Sequence, residues 1–322
     1  MNNKINFSSI EEHLPCSMNC YLSELDKEGA IHNPKPEYLT EENCLDMTEA
    51  AIKYIPDKPS NFNGNGIVMC AGTKKYLTNA YVNIRNLRSL GVDWPIQIWH
   101  RGQDEIVGNF KDLVKEFNVE FVDAFLLRNF LPARILNGWE LKVYAIKWCP
   151  FNKILSLDAD SFAVRNPLFI FDIKEFNETG AIFFPDQMTF RPDHKMWSLI
   201  NTPFKEEREF ETGQIFLEKN KTWDPICLTM WMNEYSDFFY RYFHGDKESF
   251  HFAWLKMKYP YFVGQPYKLV GFNHWQHWYN ELLFQHRTWS KYSLDSEVIV
   301  GDMIRIEEHK SYLEELRKNW KF

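Results

Sequence analysis

Two aspartates with one residue between them, Asp158 and Asp160, end an apolar strand-like stretch in the run FNKILSLDADSFAVRNP, Phe151–Pro167. On extended backbone successive side chains alternate faces, so acids at i and i+2 point the same way. A pair of carboxylates at a sheet edge suits a hard divalent cation, which takes oxygen ligands and is often shared with a phosphate. Acids on a flexible exposed loop would not need the buried lead-in. The chemistry this implies is metal-assisted handling of a nucleotide diphosphate.

The surrounding sequence supplies elements that could hold such a pair. Residues 1–60 are polar, acidic and dotted with proline, with short helices expected around Thr40–Ile55. Asp57–Gly66, DKPSNFNGNG, reads as a loop. The division is therefore an N-terminal extension, 1–62, packed on a main domain, 63–322. Beyond the loop come a strand at Gly66–Ala71, a turn at Gly72 and Thr73, and helical spacing from Leu77 to Leu90 stopped by Gly91. Strands follow at Pro95–Trp99 and Glu120–Val122, helices at Asn109–Phe117 and Glu140–Trp148, and then the acidic strand Lys153–Leu157. Alternating units of this kind predict a mixed, mostly parallel α/β sheet with helices on both faces. Ligands of such sheets lie beyond the carboxyl ends of the strands, where Asp158 and Asp160 fall. Later elements are expected at Ala181–Phe184, Gln214–Leu217, Thr222–Tyr235, Asp246–Lys256 and Glu307–Trp320.

Composition narrows the classes. The net charge is −7, which argues against a nucleic-acid groove. No stretch approaches the ~18 uncharged apolar residues of a membrane span, and MNNKINFSSIEEHLP has no apolar signal core. Cys16 and Cys20 form a lone C-x3-C, weak as a zinc signal. Cys70, Cys149 and Cys227 lie in apolar runs and read as core residues. These features lead to the expectation of a reduced, cytoplasmic protein of bacterial or viral type, with a Golgi lumen only for a truncated chain.

The run KILSLDADSFAVRNP resembles the metal motif of nucleotide-diphospho-sugar glycosyltransferases of the GT-A fold, glycogenin-like enzymes among them. GIVMCAGTKKYLTNAYVNIRNLRSLGVDWPIQIWH, GWELKVYAI, ETGAIFFPD, FETGQIFLEKNKTWD, FHGDKESFHFAW and ELLFQHRTWSKY are similar, in order over residues 66–292, to the fungal-type α-mannosyltransferase family. The resemblance implies a metal-dependent retaining glycosyltransferase that takes a hexose from a nucleotide-sugar donor to a glycan acceptor. The donor it favours is GDP-mannose, with UDP-glucose, UDP-galactose or another UDP-sugar open. Asp158 and Asp160 would hold Mn²⁺ or Mg²⁺ against the diphosphate, with Asp158 also facing the ribose and His286 in FQHRTW as third ligand. Arg287 would contact a phosphate or cap a helix. Lys142 would offset charge on the leaving diphosphate. Ala71, Gly72 and Thr73 would lie beneath the nucleotide. Thr212, Gly213 and Gln214 match E-(S/T)-G-Q, the glycine letting the chain pass close to the sugar and Gln214 bonding a hydroxyl or lying beneath the anomeric carbon. Asp246, Lys247, Glu248 and Asp186 would contact sugar. Asp246 also reads as an N-cap, and Lys142 as a surface lysine.

Rival chemistry fits less well. A phosphatase of the haloacid dehalogenase type also sets D-x-D after a strand, but near the domain start and with Thr or Val where Phe162 stands. A carbohydrate-binding protein with aromatic platforms and a structural metal would bind sugar without nucleotide. His274 and His277, three apart in HWQHW, could share a helical face, yet no third ligand is near them in sequence.

Overall fold

The computed structural model describes residues 38–265, 268–270, 273–295 and 303–322. Cys16, Cys20 and most of the expected N-terminal extension lie outside the described residues. The part of the extension described here carries a helix, Cys44–Lys53. It is tied to the rest by the Trp223 indole donating to the Pro56 carbonyl (2.8 Å) and Tyr242 donating to Glu41 (2.6 Å).

The main sheet has seven strands: β1 Asn65–Cys70, β2 Ile96–His100, β3 Val119–Asp123, β4 Lys153–Leu157, β6 Ala181–Thr189, β7 Arg208–Glu218 and β8 Phe262–Val263, in spatial order β3-β2-β1-β4-β7-β6-β8. The β1–β2, β2–β3, β1–β4 and β6–β8 pairs are parallel, while β7 runs antiparallel to both neighbours. This is the mixed, mostly parallel sheet that the alternating pattern predicts. Helices cover both faces, so the central strands are continuous apolar runs rather than alternating ones. Ile67, Met69, Leu155 and Leu157 pack toward one apolar cluster. Val68 and Ile154 pack toward the other, with the helices Gly138–Trp148, Lys219–Glu234 and Lys247–Met257.

A smaller antiparallel sheet was not anticipated. It joins β5 Ser161–Ala163, β9 Lys268–Val270, β10 Asn273–Trp278 and β11 Glu281–His286 in the order β5-β11-β10-β9. HWQHW is therefore a strand, not a helical face. His286 lies opposite Ser161 in the β5–β11 register, which brings the chain's late residues back onto the D-x-D segment.

The helix Thr73–Ser89 serves two surfaces. Leu77, Ala80, Ile84 and Leu87 bury against the sheet. Asn79, Asn83 and Asn86, spaced by four and three on a neighbouring stripe, are also buried. Gly91 ends the helix at φ 76°, a left-handed conformation that glycine adopts without steric cost.

Candidate active site

The strand ends at Leu157, and Ala159 and Asp160 are turn residues, so Asp158 and Asp160 do not share the strand's extended backbone. They flank a tight turn in which the Ser161 N–H donates to the Asp158 carbonyl (3.0 Å), and the turn, rather than strand alternation, brings the carboxylates together. The Asn83 side-chain amide holds it from beneath, donating to the carbonyls of Asp158 (3.2 Å), Ala159 (3.2 Å) and Ser161 (2.8 Å). A buried backbone turn must have its carbonyls satisfied, and one asparagine does this for three of them. Asn86 extends the grip to the Ala163 carbonyl (2.8 Å). Asn79 exchanges two bonds with the backbone of Tyr292 (3.0 and 2.9 Å).

Ligand atoms of Asp158, Asp160 and His286 lie within 4.8 Å of one another. His286 Nε2 is 3.5 Å from Asp160 Oδ1 and 3.9 Å from Asp158 Oδ2. Its Nδ1 is 2.9 Å from Glu211 Oε1. Bonds of ~2.0–2.6 Å to a hard cation put ligand atoms within ~5 Å of each other, so the donor set fits one divalent ion. Glu211 suits it further: accepting the Nδ1 proton leaves Nε2 directed at the carboxylates, the arrangement that orients metal-binding imidazoles. Burial works against charge on His286, but Glu211 and Asp160 outweigh it and raise its pKa to about 10. Burial likewise opposes the Asp160 carboxylate, and His286 and Lys291 hold it well below the usual range. Burial raises the pKa of Asp158 despite Lys142 beside it.

Glu211 also accepts from the Gly213 N–H (2.8 Å) and from Gln214 Nε2 (2.5 Å). A Cβ on Gly213 would stand 2.5 Å from His286 Nδ1 and 2.7 Å from Glu211 Oε1. A close approach that requires a glycine is thus made here by the His286–Glu211 pair. Gln214 is fully buried, accepting from Ser161 Oγ (2.9 Å), and does not reach open space.

Lys142 is no surface lysine. It is 9% exposed and bridges Asp158 Oδ1 (2.9 Å) and Asp246 Oδ2 (3.3 Å), while donating to the Thr212 carbonyl (3.1 Å). Burial penalises its charge, but Asp158 and Asp246 raise its pKa on balance. Asp246 precedes the helix Lys247–Met257 without capping it through its side chain; its carboxylate goes to Lys142 and to the Thr212 hydroxyl (3.3 Å).

These groups border a cavity of about 1040 Å³, whose lining includes Ala71, Gly72, Thr73, Lys142, Asp158, Asp160 and Lys291. Thr73 has φ 63°, a strained conformation for a branched residue, at the start of a helix that Gly72 leaves without a side-chain cap. Thr212, Gly213, Gln214, Asp246, His286 and Arg287 stand behind this wall. Arg287 is buried over the Tyr292 ring (4.2 Å), donates to the Ser290 carbonyl (2.6 Å) and does not line the cavity. Asp186 and Lys247 form a separate cluster with Glu209, and Glu248 lies 3.7 Å from Lys247. Cys70, expected in the core, is only half-buried and lines the cavity, while Cys149 and Cys227 are core residues. Sequence reasoning missed Asn83, Glu211 and Lys291 as parts of the site. The asparagine spacing 79, 83, 86 was the available signal for the first.

A family described as "Mannosyltransferase putative" matches residues 64–209 and 198–277. The chain belongs to that family. Over 138 residues it is 32% identical to the alpha-1,2-mannosyltransferase MNN5 of Saccharomyces cerevisiae, covering 41% of this chain and 23% of MNN5. Over 303 residues it is 24% identical to the alpha-1,2-mannosyltransferase MNN24 of Candida albicans, covering 77% of this chain and 41% of that protein. The chain thus spans less than half the length of these mannosyltransferases. The solved mannosyltransferase Ktr4p of S. cerevisiae aligns with 87% of this chain and 89% of its own at 12% identity and a TM-score of 0.46, a likeness too loose to argue from. The fungal origin of the matching mannosyltransferases overturns the expectation of a cytoplasmic protein of bacterial or viral type. Among the described residues no helix is long and apolar enough to cross a membrane.

Proposed function

We propose that this chain is a metal-dependent retaining glycosyltransferase that transfers mannose from GDP-mannose to a hydroxyl of a glycan acceptor, forming an α-linkage. The observation that carries this reading is the convergence of Asp158, Asp160 and His286 beside Lys142 at the wall of a large cavity. Family membership supports the mannosyl specificity.

Asp158, Asp160 and His286 would hold Mn²⁺ or Mg²⁺, which when bound supplies Lewis-acid stabilisation of the diphosphate. Lys142 contributes a fixed cation to the same charge. Its buried pairs with Asp158 and Asp246 place it before the donor arrives, so little reorganisation is needed as charge builds on the leaving oxygen. The turn Ala71–Thr73 lies at the carboxyl end of β1, the usual ligand edge of such sheets, and leads into a helix that has no side-chain cap. The bond between the anomeric carbon and the phosphate oxygen breaks, and the acceptor oxygen bonds to the same face of that carbon. The acceptor proton passes to the departing phosphate oxygen. No protein nucleophile is invoked. Gln214 serves by fixing Glu211 and Ser161.

The test is nucleotide release from a panel of GDP- and UDP-sugars, with Mn²⁺ and with EDTA. The expected result is Mn²⁺-dependent release of GDP from GDP-mannose. Release of UDP alone would reassign the donor, and turnover of no donor would remove the transferase reading.

A further inference from the structure

We propose that Trp139 is the platform of a saccharide subsite on which a sugar of the acceptor glycan lies; this rests on the transferase reading above. Trp139 is the second residue of the helix Gly138–Trp148, one turn ahead of Lys142 and therefore on the same face. It lines the same cavity, yet its side chain is 55% exposed. Its neighbours Tyr240, His244 and Gly245 come from one segment of the chain. Gly245, at φ 83°, lies so close that an added Cβ would meet the ring at 3.1–3.3 Å. Tyr240 and His244 brace it with ring centroids 5.7 and 6.1 Å away.

The neighbouring wall is polar and fixed. Glu140 accepts from the Ser236 hydroxyl. Asp237 is locked by two bonds from Arg134 (2.8 and 3.0 Å). All of Glu140, Ser236, Asp237 and Tyr240 line the cavity beside the indole. A flat apolar face next to anchored carboxylates is complementary to a pyranose, which offers an apolar C–H face and a belt of hydroxyl donors.

Position separates this subsite from the nucleotide. Gly245 is followed by Asp246, the partner of Lys142, so the platform belongs to the Lys142–Asp246 side of the cavity. Gly72, which abuts Glu105, and Arg101, whose backbone N–H donates to Glu105 (2.6 Å), line the cavity from the ends of β1 and β2 instead. A sugar on Trp139 stands within one helical turn of Lys142, and the exposed indole leaves room for the glycan to run outward.

The test uses saturation-transfer NMR with methyl α-mannoside and with an α-linked mannobiose, on the full chain and on Trp139→Ala and Trp139→Phe. The readout does not depend on turnover. Expected are transfer to the sugar protons in wild type, loss of about three- to tenfold in affinity in Trp139→Ala, and recovery of most of it in Trp139→Phe. Equal sugar binding by wild type and Trp139→Ala, or no binding by either, overturns the subsite. In parallel, Mn²⁺-dependent GDP release by wild type tests the transferase reading by itself. If Trp139→Ala raises the KM of the donor for hydrolysis as much as that of the acceptor for transfer, the indole stacks on the base and the acceptor assignment fails.

Discussion

Two clusters of acids and lysines lie at the same edge of the main sheet, and they differ in how their charges are spent. At the end of β4, Asp158 and Asp160 meet Lys142 and Lys291 on the wall of the large cavity, with His286 directly behind. On β6 and β7, Asp186 and Glu209 close on Lys247, with Glu248 nearby, and none of them lines that cavity. The side chains of the second cluster are 5–14% exposed. Similar residue types therefore give an ion-pair network closed off from the cavity in one place and, in the other, one whose Asp158 and Lys291 side chains stay 28% and 20% exposed at the cavity wall. A motif match names the residues of both; only the three-dimensional placement shows which of them line the cavity.

The largest effect that distinguishes the clusters belongs to the first. Asp160→Ala should lower metal-dependent nucleotide release by about 10³-fold, as expected for the loss of a charge-stabilising ion worth several kcal/mol, with circular dichroism unchanged. Full activity in this variant would remove the metal assignment. Next comes the support of the turn. Asn83→Ala removes a donor from three carbonyls, of which that of Asp158 keeps the Ser161 N–H, and should cost ~1–3 kcal/mol in urea unfolding. A loss within error would show that the turn holds itself.

The second cluster predicts a pH effect on stability instead of on rate. Burial raises the pKa of Glu248 to about 7, with Lys247 opposing. The native state thus keeps a proton that the unfolded chain loses near the ordinary carboxyl value of 4.5. This contribution is full below that value and is lost as pH rises through about 7. Between pH ~5 and ~8 wild type should lose on the order of 2 kcal/mol that Glu248→Gln does not. Parallel stability curves would contradict this. The smallest effect is expected of Asp186→Asn, which leaves Lys247 paired with Glu209 and should change nucleotide release by less than about threefold. A hundredfold loss would erase the distinction between the clusters.

The sequence shows one half of the active site more plainly than the other, for a physical reason. The strand Lys153–Leu157 and the acids after it are local: an apolar run buried on both faces, then charge. The alternation of strand and helix before it is local too, and the parallel core follows from it. Closure of the site is not local. His286 arrives because β11 pairs with β5 across more than a hundred residues of chain, and the strand HWQHW carries alternating rings that do not read as apolar and polar. Glu211 and Asn83 bear no chemical signature in isolation, since an acid on a strand and an asparagine on a helix are ordinary. Their roles come from what they touch, His286 in one case and three carbonyls in the other.

Calorimetric titration of GDP, with Mn²⁺ and with EDTA, into wild type and Asp160→Ala puts the proposed metal-and-diphosphate site to the most direct test. Binding that requires Mn²⁺ in wild type and vanishes in Asp160→Ala is the predicted result. GDP binding of equal strength in EDTA, or undiminished in the variant, would contradict a diphosphate held through a metal at Asp158, Asp160 and His286.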